Sequence, residues 1–395
     1  FESVSKSSGD REFSTTMAFV RLLSLLLRQK NIADRIVPIV ADEARTFGME
    51  GMFRQLGIYS SVGQLYTPQD SDQLMFYKED QKGQILQEGI TEAGAMSSWI
   101  AAATSYSASG ETMIPFFIFY SMFGFQRVGD LAWAAGDMRA RGFLVGGTAG
   151  RTTLNGEGLQ HEDGNSHMIS SMIPNCVSYD PTFAYELAVI VQDGMRRMFQ
   201  EGEDVFYYIT VENENYTHPE MPEGAEEGIR KGLYLLKQGN DNSRKVQLMG
   251  CGAILRETIA AANILEQDFG VSADIWSATS FSELRRDGVD CARWNRLNPE
   301  QEARIPWVTE CLRDRQGPVI AASDYVRGFA DQVRGFLAQE DYIVLGTDGF
   351  GRSDTREQLR RFFEVDRYNI AYAALYALYR RDVISMGELL SLIHI

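Results

Sequence analysis

Between Arg151 and His167 the chain reads RTTLNGEGLQHEDGNSH. His161 and His167, two of the chain's four histidines, share this stretch with Glu157, Glu162 and Asp163. Imidazole titrates near neutral pH, so histidines set among carboxylates suit proton transfer and substrate orientation. No helix or strand period fits the stretch, and Gly156, Gly158 and Gly164 permit unusual backbone angles, so it reads as a loop. Apolar runs flank it, FLVGG at 143–147 and IPNCVSY at 173–179, and both read as buried strands. A loop at the end of core strands is a ligand site in an open α/β sheet. A solvated surface loop is the competing reading. The E-x3-H-x5-H spacing of Glu157, His161 and His167 matches no zinc signature.

Other groups could join this loop. RIVPIVAD (35–42) reads as a short strand that ends in the charged cluster Asp42-Glu43-Ala44-Arg45. Glu88 and Glu92 stand at the start of a small-residue helix within 83–107, where a carboxylate also simply favours the helix dipole. MIPFFIFYSMFGFQR (113–127) runs as a strand into an aromatic turn, which serves either as core or as a flat wall for a heterocycle. Neither GxGxxG, GxxxxGK[ST] nor GxSxG occurs, which removes support for dinucleotide, Walker and nucleophile-elbow sites.

These groups need a frame. A length of 395 residues with 44% hydrophobic content is enough for two or three cored domains. The net charge of −16 argues against nucleic acid or an anionic membrane surface as the main partner. No apolar run is long enough to span a bilayer. Cys176, Cys251, Cys291 and Cys311 lie far apart and read as reduced thiols of a cytoplasmic protein.

Near-continuous apolar strands alternate with helices: 143–147, 173–180 and 204–212, then 246–255, 273–281, 317–324 and 341–351. The pattern predicts an α/β fold of two domains, each a parallel sheet with helices on both faces. Residues 1–13 read as a disordered lead-in, 14–225 and 226–389 as the two domains, and polar 213–230 as the linker, with His218 solvated. The last six residues, 390–395, resemble a translated oligonucleotide adapter and read as a non-native tail.

Longer stretches go further. IVPIVADEARTFGMEGMFRQLGIYS (36–60), YKEDQKGQILQEGITEAGA (77–95), PFFIFYSMFGFQRVGDLAWAAGD (115–137) and the loop 151–167 together closely resemble one family. It is the homodimeric, bacterial-type pyruvate dehydrogenase first component, which is thiamine-diphosphate-dependent. VLGTDGFGRSDTRE (344–357) is similar to the C-terminal domain shared with transketolases. The resemblance implies a pyrimidine-binding domain followed by a transketolase-type C-terminal domain. It implies oxidative decarboxylation of pyruvate and acetylation of the lipoyl group of an acetyltransferase component, performed by a homodimer.

By the same resemblance Glu92 hydrogen-bonds the cofactor's pyrimidine nitrogen. Tyr120, Phe123 and Arg127 line the cofactor pocket, and Glu43 lies near the cofactor or the dimer contact. Glu157 and His161 match residues at the substrate end. Asp163 and His167 align with the acidic-Gly-x-x-His pattern of transketolases, and Asn165 stands where a close relative has histidine.

In this family a separate N-terminal domain holds the diphosphate and Mg2+ through Gly-Asp-Gly and a later Asn. Gly9-Asp10, Gly129-Asp130 and Gly136-Asp137 each lack the second glycine. The expectation is therefore a C-terminal portion that carries half of each cofactor site and no metal ligands. The alternatives are another thiamine-dependent 2-oxo acid dehydrogenase, a transketolase, or a non-catalytic dimerisation fragment.

Overall fold

Six parallel strands make the first sheet of the computed structural model, which describes residue 4 and residues 6–41, 44–241, 243–339 and 341–392. In chain order the strands of the molecule are β1 (Ile36–Val40), β2 (Ile58–Tyr59), β3 (Glu79–Asp80), β4 (Leu86–Gln87), β5 (Ile114–Tyr120), β6 (Phe143–Gly147), β7 (Cys176–Tyr179) and β8 (Phe206–Thr210). After them come β9 (Tyr234–Lys237), β10 (Lys245–Gly250), β11 (Ser272–Ser277), β12 (Val319–Ala322) and β13 (Tyr342–Leu345). The first sheet runs β4-β1-β5-β6-β8-β7. Every residue of β1, β6 and β8 is buried, as a parallel sheet covered on both faces demands.

The covering helices include Thr15–Leu26, Glu92–Ala103, Phe125–Asp137 and Ala184–Met195. The last starts three residues after Pro181. The Glu186 carboxylate accepts from the Thr182 and Phe183 N–H groups and so fixes the entry.

The second sheet runs β13-β12-β10-β11-β9, and β9 is antiparallel to β11. The expectation of wholly parallel sheets fails at this edge strand, whose burial fades along its length. A small parallel pair, β2 with β3, stands apart from both sheets.

Three further expectations are corrected. Residues 6–13 are tied down: Ser8 N–H donates to the His218 carbonyl, and Phe13 pairs with Tyr216. The segment read as linker is packed, with Tyr216 and Ile229 buried and a helix at Ala225–Lys231. His218 is buried, not solvated: its Nδ1 accepts from Ala184 N–H and its Nε2 faces the Phe13 carbonyl. One apolar cluster runs from Ala18 to Leu392 across both sheets, so Leu392 of the expected tail is core, while 393–395 lie outside the described residues.

Candidate functional site

Strand β5 delivers Tyr120 at its end, and a tight turn, Ser121–Phe123, follows. Gly124 is needed there because a Cβ would lie 2.1 Å from the Phe119 ring. The helix Phe125–Asp137 then carries Arg127 toward the helix Glu92–Ala103. Thr91 caps that second helix by accepting from Gly94 N–H at 3.2 Å, which puts Glu92 in its first turn.

The pieces meet in one cluster. Arg127 Nη1 lies 3.0 Å from both carboxylate oxygens of Glu92, and its guanidinium carbon lies 4.0 Å from the Phe123 ring centre. The rings of Tyr120 and His161 stack with centres 5.0 Å apart, and Phe123 meets His161 edge-on at 5.3 Å. His161 Nδ1 lies 3.3 Å from Glu157 Oε2. Six of the eight sequence-predicted residues, Glu92, Tyr120, Phe123, Arg127, Glu157 and His161, therefore form a continuous chain of contacts. Glu43 lies outside the described residues.

The rest of the loop is held from the second domain. Glu162 Oε2 accepts from Arg352 N–H at 2.6 Å, and burial pushes its carboxyl up to about 7. Asp163 accepts from the N–H groups of Asn165 and Ser166 at 2.9 Å each, and thereby starts the short helix Ser166–Ser170. Arg151 donates to the Thr347 carbonyl.

His167 does not join the cluster. It is fully buried, stacked on Phe329 and set edge-on against Tyr325. Thr210 Oγ1 lies 2.6 Å from Asp180 Oδ1 and 2.9 Å from His167 Nε2. The Thr210 hydroxyl thus links the Asp180 carboxyl to His167 Nε2. Burial pushes the imidazole down to about 3, so the ring is neutral and its Nδ1 has no partner. His167 instead lies in the packed contact between the two sheets.

That contact holds a group of carboxyls that the sequence reading missed. Asp180, Glu212 and Asp324 are buried, and Tyr325 O–H donates to Asp180 Oδ1 at 3.0 Å. Gly252 packs so closely that a Cβ would lie 2.4 Å from Asp180 Oδ2 and 2.8 Å from Glu212 Oε1. The available signal was positional: each acid follows the C-terminal end of a buried strand, β7, β8 or β12. Among the described residues no three His, Cys, Asp or Glu are placed to hold a metal ion.

Residues 1–219 match the family described as pyruvate dehydrogenase E1 component middle domain. The chain belongs to that family. Residues 232–366 match the transketolase-like C-terminal domain. Among curated proteins, the pyruvate dehydrogenase E1 component of Pseudomonas aeruginosa is 66% identical over 94% of this chain, and that of Escherichia coli K12 is 62% identical over 95%. The chain spans 42% of the length of each.

Among solved structures, Campylobacter jejuni transketolase aligns with a TM-score of 0.67 and 17% identity over 93% of this chain and 47% of its own. A split-gene transketolase, described as an inactive β4 tetramer, aligns with a TM-score of 0.59 and 17% identity over 93% of this chain and 98% of its own. These likenesses place the fold in the transketolase-like class, as the sequence predicts.

Proposed function

We propose that this chain forms the pyrimidine-side wall of a thiamine diphosphate site in a pyruvate dehydrogenase E1 component. The whole protein would decarboxylate pyruvate oxidatively and acetylate the lipoyl group of an acetyltransferase partner, as a cytoplasmic homodimer. One observation carries the reading: the Arg127 guanidinium occupies a slot between the Phe123 ring and the Glu92 carboxylate. A guanidinium is planar and presents N–H donors, so it stands in for the edge and face of an aminopyrimidine. Arg127 is half-exposed, and its displacement would leave an aromatic wall and a carboxylate acceptor of the right kind.

Bound there, the cofactor would supply the nucleophilic carbon and electron sink that decarboxylation of a 2-oxo acid requires. Glu92 would hold a proton at its carboxylate, facing the heterocycle. Phe123 would fix the ring plane, and Tyr120 would hold His161 by stacking. His161, paired with Glu157, would orient and exchange a proton with substrate at the open end. The diphosphate and Mg2+ are assigned to other parts of the E1 component.

The test is Glu92→Gln in a full-length E1 component that carries this sequence. Pyruvate-dependent reduction of an artificial electron acceptor should fall by about a hundredfold or more, the scale of a lost acid–base group. Unchanged turnover with an intact fold would remove Glu92 from the mechanism.

A further inference from the structure

A second charged feature lies away from this cluster. The segment of residues 6–13 runs over the outer face of the helix Thr15–Leu26, and between them lies a cavity of about 530 Å3. Lys6, Arg11, Arg21 and Arg28 line it, with hydroxyls from Ser7 and Ser24. Among the described residues no carboxylate lines it; Asp10 and Glu12, in the same segment, are exposed. Arg21, Ser24 and Arg28 recur at three- and four-residue spacing, so they share one face of the helix and the turn after it. Among the described residues none of the four cations forms an ion pair. Arg21 has only the Phe13 ring, 4.1 Å from its guanidinium carbon.

This concentration runs against the rest of the molecule. The chain carries a net charge of −16, and about half of its arginines pair with acids, as Arg127 does with Glu92 and Arg367 with Glu257. Burial first, and then the neighbouring positive charge of Arg11, hold the Arg21 guanidinium below its ordinary value. Unbalanced cations around a concave space need an anion to lower their mutual repulsion. The volume falls within the ~300–1,000 Å3 of small-molecule sites. Val4, Ala18, Val20 and Leu25 give the same space an apolar floor.

We infer that this groove binds a small molecule carrying a phosphate or diphosphate group. The anion would sit among Arg11, Arg21 and Arg28, with Ser24 O–H as a further donor, and the apolar floor would take the uncharged part. None of these residues belongs to the Glu92–Arg127–Phe123–His161 cluster, so the site is separate from the one proposed above.

The experiment is calorimetric titration of the 395-residue chain with sodium diphosphate, orthophosphate and an oligoglutamate peptide, in low and high salt. The expected result is one saturable diphosphate site that weakens with salt, since exposed charge is screened. Orthophosphate should bind more weakly. The Arg11→Ala/Arg28→Ala variant should bind diphosphate at least about tenfold more weakly, the loss of roughly 1.4 kcal/mol of charge-assisted contact. Lys6→Glu, on an exposed residue, is the second variant and should weaken binding in the same direction. Absence of saturable binding, wild-type affinity in both variants, or tighter binding of oligoglutamate than of diphosphate would each overturn the assignment.

Discussion

One nitrogen of Arg127, Nη1, lies 3.0 Å from each carboxylate oxygen of Glu92, and it joins the first turns of two helices that pack side by side. The Arg127 side chain is half-exposed, so the pair is solvated and its net contribution to folding is about 0–1 kcal/mol. That weakness matters for function, because a ligand that competes for Glu92 has little to displace. Arg127→Ala and Glu92→Gln should therefore each leave the urea midpoint nearly unchanged. A double-mutant cycle should give a coupling below about 1 kcal/mol. A coupling of several kcal/mol would mean that the pair holds the two helices together and that Glu92 is not available to a heterocycle.

The buried carboxyls between the sheets set a pH dependence of defined sign. Burial raises Asp180 and Glu212 above the ordinary carboxyl range and pushes Asp324 up to about 6, against hydrogen bonds from Thr152 and Thr153 and the charge of Arg360. The folded state thus holds these protons more tightly than the unfolded chain. Their contribution to stability is full below the unfolded pKa of about 4 and is lost as pH rises through the folded values. His167 acts in the opposite sense, since burial depresses it and stability from that ring rises with pH. The informative quantity is the difference between Asp180→Asn and wild type. Asn keeps an acceptor for Thr210 and Tyr325 and cannot ionise. Relative to wild type, the variant should gain stability in urea between pH 5 and pH 8. A difference that stays flat across that range would mean that Asp180 does not titrate there.

Much of the first sheet was legible because buried parallel strands leave unbroken apolar runs, as IVPIV at 36–40 and FLVGG at 143–147 do. Strand β9 left no such run: it is an edge, half-covered, and pairs antiparallel. The helix Phe281–Leu297 was missed although Ser280 caps it and Glu283 follows at the capping-box position, because charged residues dominate its sequence.

In the site, residue type was legible and depth was not. His161 and His167 look alike in the loop. One stacks on Tyr120 beside Glu157, and the other is sealed by Phe329 and Tyr325, far along the chain. Only tertiary packing separates a partly exposed imidazole from one held neutral in the core. The same holds for His218, whose polar neighbours in sequence gave no sign that Phe13 and Tyr216 stack on it.

His218 gives the last prediction. Its Nδ1 accepts from Ala184 N–H at 3.1 Å and its Nε2–H donates to the Phe13 carbonyl at 2.9 Å, so both ring nitrogens are used in the neutral form. Burial lowers its pKa, which means the stability it contributes is present above the unfolded value of about 6.5 and is lost as pH falls. His218→Phe keeps the stacking but strands the Ala184 N–H, at a cost of about 1–3 kcal/mol for an unsatisfied buried group, while the Phe13 carbonyl still accepts from Tyr216 N–H. The variant should be less stable than wild type at pH 7.5, and the deficit should shrink at pH 5.5, where wild type begins to lose its own bond from Ala184. The Phe13 anchor also holds residues 6–13 in place, so limited trypsin digestion should cut at Lys6 and Arg11 faster in the variant. Unchanged cleavage together with unchanged stability would show that the lead-in segment is held by the Phe13–Tyr216 pairing and the Ser8–residue 218 backbone bonds, without the imidazole.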